Sequence, residues 1–172
     1  MSRNYWVISD THFGHENILK FRDKEGSYFR GDLFQDVDHM NEVMIQNWNS
    51  VVKSGDRVYH LGDVFFGSKD NFKKIWPRLN GSKSLIVGNH DDIKFLSSGG
   101  FFRKVEMWKV FKDFNCILSH VPLHESSLGR GSCNLNIHGH IHQNPSPVGP
   151  YKCVSVEQIN YTPLNLEELK NG

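Results

Sequence analysis

Five short runs rich in β-prone apolar residues, each closing on Asp, Asn or His, constrain this chain more than any other feature. Tyr5-Trp6-Val7-Ile8-Ser9 runs into Asp10-Thr11-His12, and Arg57-Val58-Tyr59-His60-Leu61 into Gly62-Asp63. Ser84-Leu85-Ile86-Val87 delivers Gly88-Asn89-His90-Asp91, and Asn115-Cys116-Ile117-Leu118-Ser119 delivers His120. Asn134-Leu135-Asn136-Ile137 leads into His138-Gly139-His140-Ile141-His142. Continuous apolar runs of this length are the pattern of strands buried on both faces. One Asp after a strand is an ordinary turn former or helix cap. The same event at five strand ends is not explained that way. In open α/β sheets, ligands gather at the carboxyl ends of the strands.

Between these runs the pattern changes to helical. Val37, Met40, Val43, Met44 and Trp48 recur at helical spacing, which predicts a helix over 36–51 with Asp36 as its N-cap. A second helix is expected over 69–76, stopped by Pro77, and a helical turn over 93–98. Residues 22–35 read as a polar loop carrying Arg22 and Arg30, and residues 125–133 as a glycine-rich loop carrying Arg130. Residues 101–111 suit an exposed strand or hairpin, 151–157 a last strand and 164–169 a short terminal helix. The expectation is a single α/β domain over the whole chain.

Bulk composition narrows the function classes. With 172 residues and 38% hydrophobic residues, the chain is long enough to bury a sizeable core. A formal net charge of +1 gives no electrostatic case for non-specific nucleic-acid binding. No apolar run approaches the roughly 20 residues that span a bilayer, and no signal-peptide pattern opens the sequence. Cys116, Cys133 and Cys153 lack the paired spacing of a thiolate zinc site and read as structural thiols of a reduced cytoplasm.

The strand ends supply Asp10, His12, Asp63, Asn89, His90, His120, His140 and His142. Carboxylate, carboxamide oxygen and imidazole together suit Mn, Fe, Zn or Ni, and the absence of thiolate argues against a structural zinc. The set is too large for one ion. With one carboxylate shared, it divides between two ions held about 3.5–4 Å apart. In the last motif, alternation at period two would put His138, His140 and His142 on one strand face. Gly139 marks a bend or a close backbone approach within it.

Asp10-x-His12, Gly62-Asp63, Gly88-Asn89-His90-Asp91, His120 and Gly139-His140-x-His142 resemble, in order, the five motifs of the calcineurin-like metallophosphoesterase superfamily. The likeness is to its small cap-less branch of bacterial and phage proteins. It implies a four-layer α/β/β/α sandwich with a dinuclear metal site at the strand ends, Mn²⁺ being favoured. Asp10, His12, Asp63 and His142 are implied for the first ion. Asp63, Asn89, His120 and His140 are implied for the second, with Asp63 bridging. His90 is implied as the proton donor to the leaving oxygen, and the reaction as in-line attack on phosphorus by a metal-bridging hydroxide.

The sequence departs from the protein phosphatase branch of that superfamily. Val64-Phe65-Phe66-Gly67 stands where an Asp-Arg pair would be expected, and Asp91 where a Glu would be. This shifts the expected substrate toward a phosphodiester, small or nucleotide. The alternatives are a nuclease on DNA or RNA, or a non-catalytic scaffold on the same fold. The first usually carries more basic surface, and the second has typically lost ligands. Arg30 and Arg130 are candidate phosphate clamps, and His15 and His124 candidate cleft residues. His60 has the parity of either a packed core histidine or a neighbour of the site.

Overall fold

The structure is a computed structural model that describes residues 3–129 and 133–170. In chain order its strands are β1 (Tyr5–Ile8), β2 (Arg57–His60), β3 (Ser82–Ile86), β4 (Val105–Glu106), β5 (Trp108–Phe111), β6 (Cys116–Ser119), β7 (Leu135–His138), β8 (Tyr151–Cys153) and β9 (Leu164–Asn165). They form two sheets, ordered β4-β3-β2-β1-β9 and β5-β6-β7-β8. All neighbours are parallel except the edge strands β9 and β5. The helices are α1 (Val37–Val51), α2 (Lys69–Ile75), α3 (Ile93–Ser98) and α4 (Leu166–Leu169). The architecture is a mixed α/β fold of two sheets flanked by helices.

Period-two alternation decides which layer each strand residue meets. Tyr5 and Tyr59 face the second sheet, where Phe111 lies 5.3 and 5.5 Å from their rings. On the opposite face, His60 packs against Trp76 just beyond α2, and Trp76 against Trp48 of α1. Trp48 is fully buried, and its Nε1 donates to Asn80 O at 2.9 Å, so its one polar atom is satisfied. Removing that ring by Trp48→Ala should cost about 3–5 kcal/mol. α1 begins where its capping signal predicts, with the Asp36 carboxylate accepting from the His39 N–H. The outer face of the second sheet carries a separate small cluster of Ile117, Leu128 and Cys133, with Leu123 and Tyr151 packed on it.

Four details differ from the sequence reading. Residues 101–111 do not form a hairpin: β4 joins the first sheet and β5 the second, so the chain changes sheets at Met107. Pro77 does not end the helical path, because Trp76–Arg78 continues as a 3₁₀ turn with the proline near its start, where its missing N–H costs nothing. The expected strand over 151–157 stops at Cys153, and Val156–Gln158 forms a 3₁₀ turn. The expected helix over 164–169 opens instead as β9, and α4 starts only at Leu166.

The two sheets meet at the carboxyl ends of β1 and β8. Ser9 N–H donates to Val154 O at 2.9 Å, and Val156 N–H to Ser9 O at 3.1 Å. That junction brings the motifs of both sheets together. The three cysteines are free and buried, and no helix among the described residues is long and apolar enough to cross a membrane.

Candidate metal centre

Beyond β1 and β2 the two chains continue side by side, with Asp10 N–H donating to Gly62 O and His12 N–H to Asp63 O. Of the seven residues expected as ligands, Asp10, His12, Asp63, His140 and His142 have φ between 47° and 72°. L-residues seldom adopt this left-handed backbone, at a cost of about 1–3 kcal/mol each. Strain of this kind persists where the surroundings impose it, and it clusters at functional sites. Glycines supply the room. A Cβ on Gly62 would meet the Gly88 backbone, and one on Gly88 would meet Asp63. A Cβ on Gly139 would overlap Ser9 Oγ and Asp10 Oδ2. Gly139 is therefore needed for close approach; its φ is not in the left-handed range.

The side chains converge in two groups. Asp10, His12 and His142 bring one ligand atom each to within 4.8 Å of one another, and so do Asp63, His120 and His140. Asp63 Oδ2 stands between the groups, 3.7 Å from His12 Nε2 and 3.5 Å from His120 Nε2. Its partner oxygen, Oδ1, accepts from the His90 N–H at 2.9 Å, which fixes the carboxylate plane. Asn89 Oδ1 adds a further oxygen to the second group, 2.9 Å from His120 Nε2 and 3.0 Å from His140 Nδ1.

This donor set fits cations. Asp10 Oδ2 accepts from the His140 N–H and the Ser155 hydroxyl, while buried Oδ1 has no partner. His12 is 3% exposed, and neither of its ring nitrogens has a partner. His120 Nδ1 lies 2.7 Å from Leu61 O and so must carry the hydrogen, which turns Nε2 toward two oxygen acceptors. Acceptor facing acceptor requires a proton or a metal ion between them. Burial pulls the His120 pKa down, but the Asp63 hydrogen bond and the Asp10 charge lift it to about 8. Burial raises the Asp63 carboxyl, yet its contacts to His120 and the His90 N–H outweigh this and hold it below the usual carboxylate range. A metal ion bound at His120 Nε2 would take the place of a proton there.

Residues around the two groups hold them in place. His60 Nδ1 accepts from Gly62 N–H, Nε2 donates to Thr11 Oγ1 at 2.9 Å, and Thr11 in turn donates to Val64 O. His60 is thus a neutral link between the first two motifs, its pKa lowered by burial to about 3. Asp91 accepts from the N–H groups of Asp63, Val64 and Gly88 and so locks the second motif to the third. Glu157, which the sequence reading did not single out, accepts from His142 Nδ1 at 2.9 Å and pairs with Arg30 at 2.7 Å. With Nδ1–H committed, Nε2 is the nitrogen of His142 left to accept a cation, and a carboxylate behind the ring is the arrangement that supports histidine ligands.

Comparison with known proteins places the chain among relatives. No family model matches it. An uncharacterized protein of Methanocaldococcus jannaschii is 38% identical over 175 residues, covering 96% of this chain and 88% of that protein. The chain belongs to that protein's family. Against this M. jannaschii family match, the Gene 66 protein of Mycobacterium phage L5 is more distant, 28% identical over 130 residues, or 73% of this chain and 58% of the phage protein. The crystal structure of a protein of unknown function from Aquifex aeolicus superposes with a TM-score of 0.70 at 29% identity, covering 99% of both chains.

The structure also places the remaining candidates of this family member. Arg30 cannot clamp a substrate. It is 1% exposed, and its guanidinium is used up by Glu157, Thr11 O and Asp10 O. The sequence reading fails there because an arginine in a polar loop looks solvated until the loop folds over it. Arg130 lies outside the described residues. His124 accepts from the Ser126 N–H as the cap of a 3₁₀ turn and does not line the cleft beside His12. His138 lies in neither metal group; fully buried, it hydrogen-bonds Ser146 Oγ at 3.0 Å. His15 and His90 do line a cleft of about 400 Å³, together with His12, Phe21, Phe29, Phe66 and His142.

Proposed function

We propose that this chain is a phosphoester hydrolase of the calcineurin-like metallophosphoesterase type, acting on a phosphodiester. The observation that carries the reading is the single Asp63 oxygen set between two three-residue groups, the first of which holds Asp10 Oδ1 and both His12 ring nitrogens without a hydrogen-bond partner. Two divalent ions, Mn²⁺ being the favoured metal and Fe, Zn or Ni also suiting the donors, would supply an activated water and neutralise charge on the phosphate oxygens. Asp10, His12, Asp63 and His142 would hold the first, and Asp63, Asn89, His120 and His140 the second. The four-layer sandwich of that superfamily is consistent with two sheets carrying helices.

The other roles belong to residues whose geometry is fixed. His90 is exposed in the cleft, its ring 5.9 Å from that of His12, while its backbone N–H is tied to the bridging carboxylate. An imidazole held there can give a proton to an alkoxide leaving group. No Lys or Arg of the described residues lines the cleft. A diester, with one negative charge, is therefore matched better than a monoester with two.

The test is hydrolysis of bis(p-nitrophenyl) phosphate by Mn²⁺-loaded protein. Turnover is expected in the wild type, with loss of at least about 100-fold in His90→Ala and near abolition in Asp63→Ala. Absence of turnover on diesters and monoesters alike would sink the proposal.

A further inference from the structure

The cleft beside the metal groups has an aromatic wall that the hydrolytic chemistry does not use. Phe21 and Phe66 are 45% and 44% exposed, an unfavourable setting for phenyl rings unless something covers them. The wall is built, not incidental. Phe21 and Phe29 stand at the two ends of a small hairpin closed by the Arg22–Tyr28 bridge and by Phe29 N–H donating to Phe21 O at 3.0 Å. The Arg22 guanidinium lies 3.6 Å over the Tyr28 ring and braces that hairpin from outside the cleft. Phe66 is held from the other side by a stacked contact with His15, 4.3 Å between centroids at 22°.

The wall also adjoins the reacting centre. The Phe66 ring is 6.0 Å from the ring of His90, and the Phe29 ring 6.1 Å from that of His142. A phosphate held at the two metal groups would leave its ester substituent against these phenyl faces. Among the described lining residues, that substituent meets stacking surface and neither lysine nor arginine. Sugars and further phosphates are poorly served there, whereas a planar π-system is served well.

We propose that Phe21, Phe29 and Phe66 form a stacking subsite for a nucleobase, so that the substrate class is a nucleoside phosphodiester. This rests on the phosphodiesterase reading above. Every base has a π-face, and a stacked base is typically worth a five- to hundredfold change in affinity on removal of its aromatic partner.

The experiment is calorimetric binding of adenosine 5′-monophosphate and ribose 5-phosphate to the Mn²⁺-loaded protein, which differ only in the base. The wild type should bind the nucleotide about tenfold more tightly. Phe66→Leu, which keeps an apolar side chain but not a ring, and Phe21→Ala should each bring the two ligands to within about threefold of one another, while Phe66→Trp should keep the difference. Equal affinities in the wild type, or a base preference unchanged in both Phe66→Leu and Phe21→Ala, would overturn the subsite. The two failures separate cleanly. Diester hydrolysis with equal binding rejects the subsite and leaves the hydrolase reading standing. Base-dependent binding that the phenylalanine variants abolish, without hydrolysis of any phosphoester, supports the subsite and rejects the hydrolase.

Discussion

His142 Nδ1 and Glu157 Oε1 are 2.9 Å apart, and the same carboxylate oxygen holds the buried guanidinium of Arg30. Burial raises the Glu157 carboxyl, but Arg30 and His142 outweigh it and keep the group ionised. Glu157→Gln retains an acceptor for His142 and gives up the charge. We expect it to fold and to bind the first ion about 10–100-fold more weakly, measured by competition with a chromogenic chelator. Glu157→Ala additionally strands a buried arginine, and its unfolding free energy should fall by about 3–5 kcal/mol in urea titrations. An unaltered metal affinity in Glu157→Gln would remove this residue from the centre.

The three histidines of the last motif should separate by metal content. His140 and His142 belong to different groups, whereas His138 is buried against Ser146 and belongs to neither. Elemental analysis should give roughly one ion fewer per chain for His140→Ala and for His142→Ala, on the two-ion reading of the site. His138→Ala should keep its metal while losing about 1–3 kcal/mol of stability, because a fully buried ring and its hydrogen bonds are removed. Equal metal loss in all three would contradict the geometry.

Gly139 is held by contact and not by backbone angle. A methyl group there collides with Ser9 Oγ and Asp10 Oδ2, so Gly139→Ala must push the Asp10 carboxylate aside. The expected cost is about 1–3 kcal/mol, with weakened binding of the first ion. Gly55→Ala, whose added Cβ meets nothing within 4 Å, should change neither quantity and serves as the control.

Stability without metal should fall with acid, and His60 should be one reason. Its pKa is about 3 in the fold against 6.5 for an ordinary histidine, because burial opposes the charged ring. Between those values the unfolded chain binds a proton that the folded protein refuses, so the stabilisation is complete above pH 6.5 and declines as pH falls toward 3. One such group contributes about 1.4 kcal/mol per pH unit. Urea unfolding in the presence of a chelator, followed from pH 7 to 5, should show a slope shallower by about that amount in His60→Asn. Parallel slopes would mean that His60 is not held neutral.

Much of this centre was legible in one dimension. A strand buried on both faces must be a nearly continuous apolar run, so its end is marked wherever polar residues begin. Asp10, Asp63, Asn89, His120 and His140 stand at such ends, and local signals also located α1 and its Asp36 cap. Glu157 carried no such signal. It lies in a turn read as strand, 15 residues from His142, and only the meeting of β1 with β8 at Ser9–Ser155 brings that turn to the site.

By itself, then, the sequence determined the five strands whose ends carry the motifs, the start of α1, and the chemical inventory: carboxylates, an amide and imidazoles follow those strands. Tertiary structure alone decided the grouping of those donors, the burial of Arg30 as a strut and the turning of Phe21, Phe29 and Phe66 onto the cleft. The physical reason is range. Propensity, capping and period two act between near neighbours along the chain. Which oxygen lacks a donor and which ring stays uncovered depend on residues more than a hundred positions away, such as Ser155 and His140 at the carboxylate of Asp10.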